Sequence, residues 1–369
     1  MELVYKALEA LINAYVKVID RLKPGWALRN SSKISEWKLM AYAYSRSPVG
    51  LVGGFLVALF TVLAVVGPAI SWQHYGEYPV VYDPGLRLKP PTLWGNPNEM
   101  GKAPLMGTDD WGRDILAMTL YGIRISFVIS LLIVVLGVPL GVLLGLVAGY
   151  KGGAIDEAIM RFTDMFMAFP GLVLAIAFAT VLPQRIRGFL ETYPLIRDAL
   201  LYVFALTPRE VGQLASLLSV VTALVLIWWP GYARIVRGMV LSVREQAFIE
   251  VARALGLSTT RILTRHILPN VISPILVMST FDLATAALLA AALSFLGLGP
   301  QDPVPELGFM ISKAGQFFPE RSWWIVAVYG TVLLLIALGW NLLGDSLRDV
   351  LDPKTRRAIE VRSKRGRRG

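Results

Sequence analysis

Six stretches of the chain are apolar over a length that fits a lipid bilayer, which takes a helix of about 20 residues to cross. The third stretch contains Pro170, where we expect a kink, and the fourth contains Pro230 near its end. The six stretches lie near residues 49–72, 125–149, 165–182, 214–233, 271–296 and 323–343. The pattern predicts an all-α, polytopic membrane protein with six transmembrane helices.

The amino-terminal part of the chain alternates apolar and polar positions with the period of a helix. Glu9, Lys17, Asp20 and Arg21 interrupt any apolar core that a signal peptide would need. We expect an amphipathic helix on the inner membrane surface, although the same spacing fits a helix packed on the bundle. Its apolar positions are Leu3, Ala7, Leu8, Leu11, Ile12, Tyr15, Val16 and Ile19.

Lys and Arg are unevenly divided between the two sides of the predicted bundle. With the amino terminus inside, the inner segments are 1–48, 150–164, 234–270 and 344–369, and they hold 25 of the 36 basic residues. The outer segments hold the other 11. Basic residues accumulate on the cytoplasmic side of membrane proteins. We therefore expect both termini in the cytoplasm and the protein in the cell membrane.

The segments group into three regions. We predict a cytoplasmic amphipathic region at 1–48, a six-helix transmembrane domain at 49–343 and a basic cytoplasmic tail at 344–369. The first outer loop is 73–124, and its part 79–107 contains six prolines, which favours an irregular, turn-rich lid.

Two further segments stand out by composition. A second outer loop, 183–213, should contain a helix around Ile196 to Leu206. The last 26 residues, 344–369, hold nine Lys and Arg, and the net charge of the chain is +10. Because this charge directly follows a predicted span, we expect contact with anionic headgroups or phosphate-bearing partners and no nucleic acid.

Composition narrows the chemistry. Hydrophobic residues make up 55% of the chain and charged residues only 17%, against about a quarter in globular domains. There is no Cys and there are only two His, which excludes disulfides, thiolate chemistry and a His-based metal site. The sequence has no Walker A loop, H-E-x-x-H or G-x-S-x-G motif. We therefore expect that the protein is not an enzyme and has no cofactor of its own. Energy for its activity would come from another subunit or from an ion gradient.

A charged, two-faced segment at 245–269 lies between the fourth and fifth apolar stretches. Its first part has helical spacing and ends at Gly256, which favours the left-handed conformation that closes a helix. Ser258 or Thr259 is placed to cap a second helix, and Pro269 suits the start of the next span. We predict two short helices that meet at Gly256 and lie parallel to the membrane.

Three interpretations of this segment compete. Its small apolar face, on which helical spacing places Phe248, Val251, Ala252 and Leu255, fits a groove on a soluble partner. A plain interfacial loop is the second interpretation. A DNA-binding helix-turn-helix is the third, and it is disfavoured because spans begin within about 12 residues on either side.

The same segment resembles the EAA loop of permease subunits of ABC importers. In that pattern E-A-A is followed by three residues, Gly, nine residues and I-x-L-P. Val251 stands in place of an Ala and His266 in place of an Ile. The matching residues are Glu250, Ala252, Gly256, Leu268 and Pro269.

Other segments narrow the resemblance. Residues 107–114 read G-T-D-D-W-G-R-D and look like a segment of the second permease subunit in the dipeptide/oligopeptide/nickel importers. Asp156, Arg161 and Asp164 with the A-F-P of 168–170 resemble another run of that family. The motifs L-S-F-L-G-L-G at 293–299, N-L-L-G-D at 341–345 and L-D-P at 351–353 also fit.

The resemblance implies a fold and a set of partners. The fold would be a type I ABC importer-like permease, which forms half of the solute pathway. Its partners would be a second, homologous permease subunit, two cytoplasmic ATP-binding subunits that hold ATP and Mg, and an extracytoplasmic solute-binding protein. Coupling to the ATPase would involve Glu250, Val251, Ala252, Arg253, Gly256, Leu268 and Pro269. Peptides are the expected solute, with oligosaccharides or nickel as alternatives.

Asp282 is the only acidic residue that we find deep inside an apolar stretch. A charge at bilayer depth costs about 2.5–3.5 kcal/mol on insertion scales and usually faces a cavity or a partner. Asp282 is therefore a candidate for the solute pathway. The alternative is a structural carboxylate that bonds Ser279, Thr280, Thr285 or a neighbouring helix.

Two further observations bear on the class of protein. Gly137, Gly141, Gly145 and Gly149 fall four apart on one helix face, which favours close helix packing. An ion-driven secondary transporter is the rival class, but it typically carries more intramembrane acids and broken helices in repeat-related positions. A membrane scaffold protein is a second rival, and it gives no reason for the segment 245–269.

Overall fold

The computed structural model describes residues 2–71, 84–91, 105–317 and 320–351. Over these ranges the regular secondary structure is helical, and the only β-type pairing is an isolated bridge between Thr108 and Asp114. The prediction of an all-α protein is confirmed. The proline-rich segment 79–107 and the tail 344–369 lie largely outside the described residues.

Fourteen helices are present in the described ranges. They are α1 Glu2–Leu22, α2 Trp26–Arg29, α3 Ser31–Ser45, α4 Pro48–Ile70, α5 Ile115–Lys151, α6 Gly153–Met167, α7 Gly171–Thr192, α8 Pro194–Phe204, α9 Val211–Arg244, α10 Ala247–Ala254, α11 Thr259–Ile262, α12 Leu268–Phe295, α13 Leu307–Gly315 and α14 Trp323–Leu351. A π-helical turn, Leu263–Ile267, joins α11 to α12. Short 3-10 turns lie at Pro84–Leu86 and Pro208–Glu210.

Six helices are long and apolar enough to cross a membrane, as the sequence pattern predicts. They are α4, α5, α7, α9, the continuous stretch from α11 through α12, and α14. Several are longer than the apolar runs alone indicate, because caps and flanking polar residues extend them. The start of α5 at Ile115 is one example: the Asp114 side chain accepts hydrogen bonds from the backbone N–H groups of Leu116 and Ala117 and caps the helix.

The third span lies further along the chain than predicted. Instead of a kinked helix at 165–182, α6 ends at Met167 and α7 begins at Gly171, with Pro170 between them as the residue before the helix. A proline disfavours the helical conformation of the residue before it, so Pro170 separates two helices here. The span then continues through Pro183 to Thr192, inside the predicted outer loop 183–213.

Pro230 acts differently from Pro170. The fourth span does not end near it, because α9 continues to Arg244 with Pro230 in its interior. Neighbouring helices can satisfy the backbone groups that a buried proline leaves free, and Pro230 is buried in the bundle.

The centre of the bundle is the contact between α5 and α9, with α7 on α9 and with α4, α12 and α14 completing the core. Gly137, Gly141, Gly145 and Gly149 all face α9, which confirms the predicted close packing. A Cβ atom at Gly141 would lie 2.4 Å from the carbonyl oxygen of Trp229. The two backbones approach so closely only because these residues have no side chain.

Helices α1, α2 and α3 form a separate hairpin in front of the first span. α1 packs on α3 through the ion pair between Glu9 and Lys38 and the ring contact between Tyr5 and Tyr42. The amphipathic helix predicted from the amino-terminal pattern is therefore present, and α3 rather than the transmembrane bundle covers one of its faces.

Candidate functional site

The segment 245–269 begins with α10 and a tight turn at Gly256. The turn has the hydrogen bonds of a Schellman motif, with the N–H of Gly256 bonded to the carbonyl of Arg253 and the N–H of Leu257 to that of Ala252. Gly256 has a φ of +71°, in the left-handed region. The predicted turn at Gly256 is thus confirmed: α10 ends at Ala254, Leu255 is its C-cap and Gly256 follows.

The two faces of α10 are in different environments. Ile249 and Ala252 are buried against the bundle. Phe248, Val251 and Leu255 point away from it, with 40%, 57% and 75% of their surfaces exposed. Sequence spacing had placed Ala252 together with these exposed residues, and the structure separates it from them. An apolar face of three side chains therefore remains without a partner among the residues that the structure describes.

A cation–π contact ties α10 to the end of α5. The guanidinium carbon of Arg253 lies 5.1 Å from the ring centroid of Tyr150. Such a contact contributes about 0.5–1 kcal/mol at an exposed site. Together with the burial of Ile249 and Ala252, it attaches α10 to the bundle as a fixed element.

The second half of the segment differs from the prediction. α11 does not form a separate helix parallel to the membrane, because it continues through the π turn into α12 as one helical stretch. Ser258 is the residue before α11, as predicted, but its side chain makes no capping hydrogen bond. The wider π turn comes directly before Leu268 and Pro269, where the proline ring would clash with the carbonyl four residues earlier in a regular helix.

Ion pairs connect α6 to α9 near the same end of the bundle. Asp156 accepts hydrogen bonds of 2.8 and 2.6 Å from Nε and Nη2 of Arg237. These bonds hold the pKa of the Asp156 carboxyl below its ordinary value. Asp164 accepts a single hydrogen bond, from Nη2 of Arg234. The acidic residues of the motif at 156–164 thus anchor α6 within this chain.

Asp282 lies on α12, half-buried, in contact with α9. The hydroxyl of Tyr232 donates a hydrogen bond of 2.5 Å to Oδ2 of Asp282. The hydroxyls of Ser279, Thr280 and Thr285 donate instead to carbonyls of their own helix. The partner of the carboxylate is therefore on a neighbouring helix, 50 residues away in sequence.

A buried ionic cluster lies at the opposite end of the bundle and was not predicted as a unit. Arg113 has a side chain only 3% exposed and lies 2.6 Å from Asp109 and 3.0 Å from Asp302. Lys313 on α13 lies 2.9 Å from Asp110 and 2.6 Å from Asp302. We call these five residues the outer cluster.

The Trp111 ring extends the outer cluster, and a buried carboxyl lies at the start of α13. Lys313 and Arg113 both contact the face of Trp111, at 4.4 and 5.1 Å from its centroid. Glu306 is fully buried and caps α13, since it accepts from the N–H of Phe309. Burial raises the pKa of Glu306, and it raises that of Asp110 despite the nearby Lys313.

The signal for this cluster was present in the sequence, since three of its members lie in the motif at 107–114. Their partners, Asp302 in the loop before α13 and Lys313 on α13, are 189 and 203 residues further along. No local pattern connects the two segments. Among the described residues, no group of three or more His, Asp and Glu is arranged to hold a metal ion.

Comparisons with known proteins agree with this architecture. The family described as "binding-protein-dependent transport system inner membrane component" matches residues 141–357, which contain the segment 245–269 and Asp282. The dipeptide transport system permease protein DppC of Alkalihalophilus pseudofirmus is 35% identical over 323 residues, 87% of this chain and 91% of that protein.

Two further relatives match over a similar length. The di/tripeptide transport system permease protein DppC of Pseudomonas aeruginosa is 34% identical and covers 84% of this chain and 89% of its own. The oligopeptide transport system permease protein OppC of Bacillus subtilis is 30% identical over 328 residues, 89% of this chain and 93% of that protein. The resemblance drawn from the motifs is confirmed. The chain belongs to the family of binding-protein-dependent transport system inner membrane components and is a permease subunit of an ABC importer.

Proposed function

We propose that this permease subunit forms half of a peptide pathway and is driven through residues 245–269 by a separate ATPase. The observation that carries the proposal is the exposed apolar face of Phe248, Val251 and Leu255 on a helix that is itself fixed to the bundle. A groove on a soluble subunit would bury this face. Glu250 and Arg253 flank it with charges that can orient the partner.

The remaining partners follow from the family. They are a second homologous permease subunit, two ATP-binding subunits that carry ATP and Mg, and an extracytoplasmic solute-binding protein. We infer that both termini face the cytoplasm, because 25 of the 36 Lys and Arg fall on that side. We also propose that the chain needs no cofactor of its own and that it spans the cell membrane six times.

Peptides are the proposed solute. The relatives match most of the length of this chain, and their names describe dipeptide, di/tripeptide and oligopeptide transport. Asp282 is the proposed pathway residue, since a carboxylate at bilayer depth can pair with the ammonium group of a peptide. Oligosaccharides and nickel are the alternatives that an uptake assay distinguishes.

Force transmission would follow the contacts of α10. When ATP closes the ATPase pair, α10 moves with the groove that holds it. Arg253 passes this displacement to Tyr150 at the end of α5, and Ile249 and Ala252 pass it to the bundle. The bundle thus has two arrangements, and the nucleotide state of the partner selects between them.

The test is the substitution Leu255→Glu. A charge in this apolar face should abolish co-purification of the ATPase subunits and solute uptake, because an unpaired charge would be desolvated on docking. The matched control is Leu195→Glu on α8, which is 86% exposed at the other end of the bundle. This variant should retain the ATPase. Normal ATPase capture by Leu255→Glu would refute the docking role.

A second test addresses Asp282. Asn can still accept the hydrogen bond of Tyr232, so Asp282→Asn should leave folding intact while it raises the KM for peptide uptake in the reconstituted complex. Tyr232→Phe is the companion variant, since it keeps the carboxylate and removes its donor. Unchanged uptake kinetics of Asp282→Asn for every peptide tested would assign the carboxylate a structural role.

A further inference from the structure

Helix α1 has a second apolar face that no other residue in the described part of the chain covers. Its Tyr5, Glu9 and Tyr15 contact α3 or α2, but none of its residues is buried. A row of large apolar side chains beside that contact is exposed. Its members are Leu3, Leu11, Val18 and Leu22, exposed at 82%, 67%, 55% and 74%. We call them the α1 stripe.

Charges are arranged around the α1 stripe by sign. Since successive helix residues are rotated by about 100°, Leu3, Val18 and Leu22 lie within about 80° of Leu11. Lys6, Lys17 and Arg21 fall along one border of the stripe, at about 80–140° from Leu11. The acidic residues of the helix lie on the far side, at about 160–180°; they are Glu2, Glu9 and Asp20.

This order of apolar, basic and acidic positions is that of a helix lying in a membrane interface. The apolar face enters the boundary between headgroups and acyl chains, and basic residues at its edge reach the phosphates. Lys and Arg can extend their charged ends to the headgroups while their stems cover apolar surface. The acidic residues then face away from the membrane, with Glu9 in its ion pair with Lys38 of α3 and Asp20 bonded to the backbone N–H of Ala27.

The hairpin of α1, α2 and α3 is also attached directly to the beginning of the first span. Only Arg46 and Ser47 separate α3 from α4. The Tyr44 hydroxyl donates a 2.6 Å hydrogen bond to the carbonyl of Gly50, so α3 folds back onto the first turn of the span. Tyr15, Trp26 and Trp37 form a contiguous aromatic group on the hairpin, a composition typical of membrane interfaces.

We propose that α1 is a lipid-binding surface that lies on the leaflet at the amino-terminal side and favours anionic headgroups. The α1 stripe is the inserted face, and Lys17 and Arg21 are the phosphate contacts. A bilayer rather than a protein is the occupant because the hairpin is tied to the end of a span and because basic side chains border the apolar face. Residues 1–48 hold eight Lys and Arg against four Asp and Glu, which matches an anionic surface.

The test uses the absence of cysteine from the chain. Leu11→Cys and Asn13→Cys place one environment-sensitive fluorophore either in the α1 stripe or on the polar face of the same helix. The full-length subunit is reconstituted in nanodiscs whose phosphatidylcholine is brominated on its acyl chains. We expect bromine to quench the label at position 11 and to leave that at 13 unaffected, while aqueous iodide quenches them in the reverse order.

The lipid preference is tested in the same system. Adding phosphatidylglycerol should increase bromine quenching at position 11, and Lys17→Glu with Arg21→Glu should abolish this increase without changing the signal in neutral lipid. The proposal is overturned if iodide reaches both labels equally. It is also overturned if position 11 becomes protected only after other protein subunits are added. Quenching that is independent of lipid charge would refute the preference for anionic headgroups.

Discussion

Gly256 is the residue on which the shape of the segment 245–269 most depends. It adopts a φ of +71°, and two backbone hydrogen bonds close the end of α10 around it. A Cβ atom built there meets nothing within 4 Å. The requirement for glycine is therefore conformational and not steric, since L-residues lose about 1–2 kcal/mol in the left-handed region.

We expect Gly256→Ala to weaken the turn by about 1–2 kcal/mol and Gly256→Pro to abolish uptake while the protein remains inserted. Proline is fixed near a φ of −65° and has no N–H for the bond to Arg253. Gly238→Ala is the matched control, because Gly238 is helical and equally open. Uptake in the reconstituted complex is the measurement, and a wild-type rate for Gly256→Pro would contradict the role of the turn.

At the scale of elements, the stability of the bundle centre depends on the close contact of α5 with α9. The four glycines of α5 spaced four residues apart let its backbone reach that of α9 near Trp229, Ala233 and Arg237. Without side chains at these positions, carbonyl groups and Cβ atoms of α9 fill the space directly. Helices in a membrane gain stability mainly from such packing, because lipid offers no hydrophobic driving force between them.

Gly141→Ala should lower the free energy of unfolding by about 1–3 kcal/mol, the usual cost of overpacking. Its new methyl group would lie 2.4 Å from the Trp229 carbonyl oxygen and 2.6 Å from Cβ of Tyr232, both parts of a rigid helix. Gly238→Ala on α9 should be neutral or stabilising, since it replaces a helical glycine in open space. Thermal unfolding of the detergent-solubilised subunit, followed by tryptophan fluorescence, compares the two. Equal midpoints would contradict the packing role.

At the scale of the whole molecule, polar contacts concentrate at the two ends of the bundle. The ion pairs of α6 with α9 and the segment 245–269 lie at one end, and the outer cluster lies at the other. The ion pairs of the outer cluster join the segment before α5 to helix α13 and to the loop that precedes α13. The two groups of ion pairs hold different elements, α6 and α9 at one end and the segment before α5 and α13 at the other.

Lys313→Met tests the outer cluster. It leaves Asp110 without its cation and Asp302 with Arg113 alone, so we expect a loss of about 3 kcal/mol, the lower range for breaking a buried pair. Arg187→Met breaks the exposed pair with Glu191 and should change stability by less than about 1 kcal/mol. Unfolding midpoints in detergent provide the comparison. Equal effects of the two variants would show that the outer cluster does not stabilise the fold.

Some features of this protein follow from the sequence alone, because they depend on residues that are close neighbours along the chain. Six apolar runs give six spans, Gly256 ends α10, and glycines four apart on α5 face a helix. Helix hydrogen bonds, caps and apolar periodicity all act within a few residues. The motifs at 107–114 and 250–269 were also sufficient to indicate the family to which the chain belongs.

Only the tertiary structure decided which faces and charges meet. Ala252 is buried while Val251 is exposed, Asp282 pairs with Tyr232 on another helix, and α3 covers one apolar face of α1 but not the other. Arg113 forms an ion pair with Asp302, which lies about 190 residues further along the chain. These contacts depend on how the helices pack against one another. The energy of packing is determined by the shapes of the helix surfaces and the distances between them in three dimensions. Local sequence patterns specify neither the shapes nor the distances.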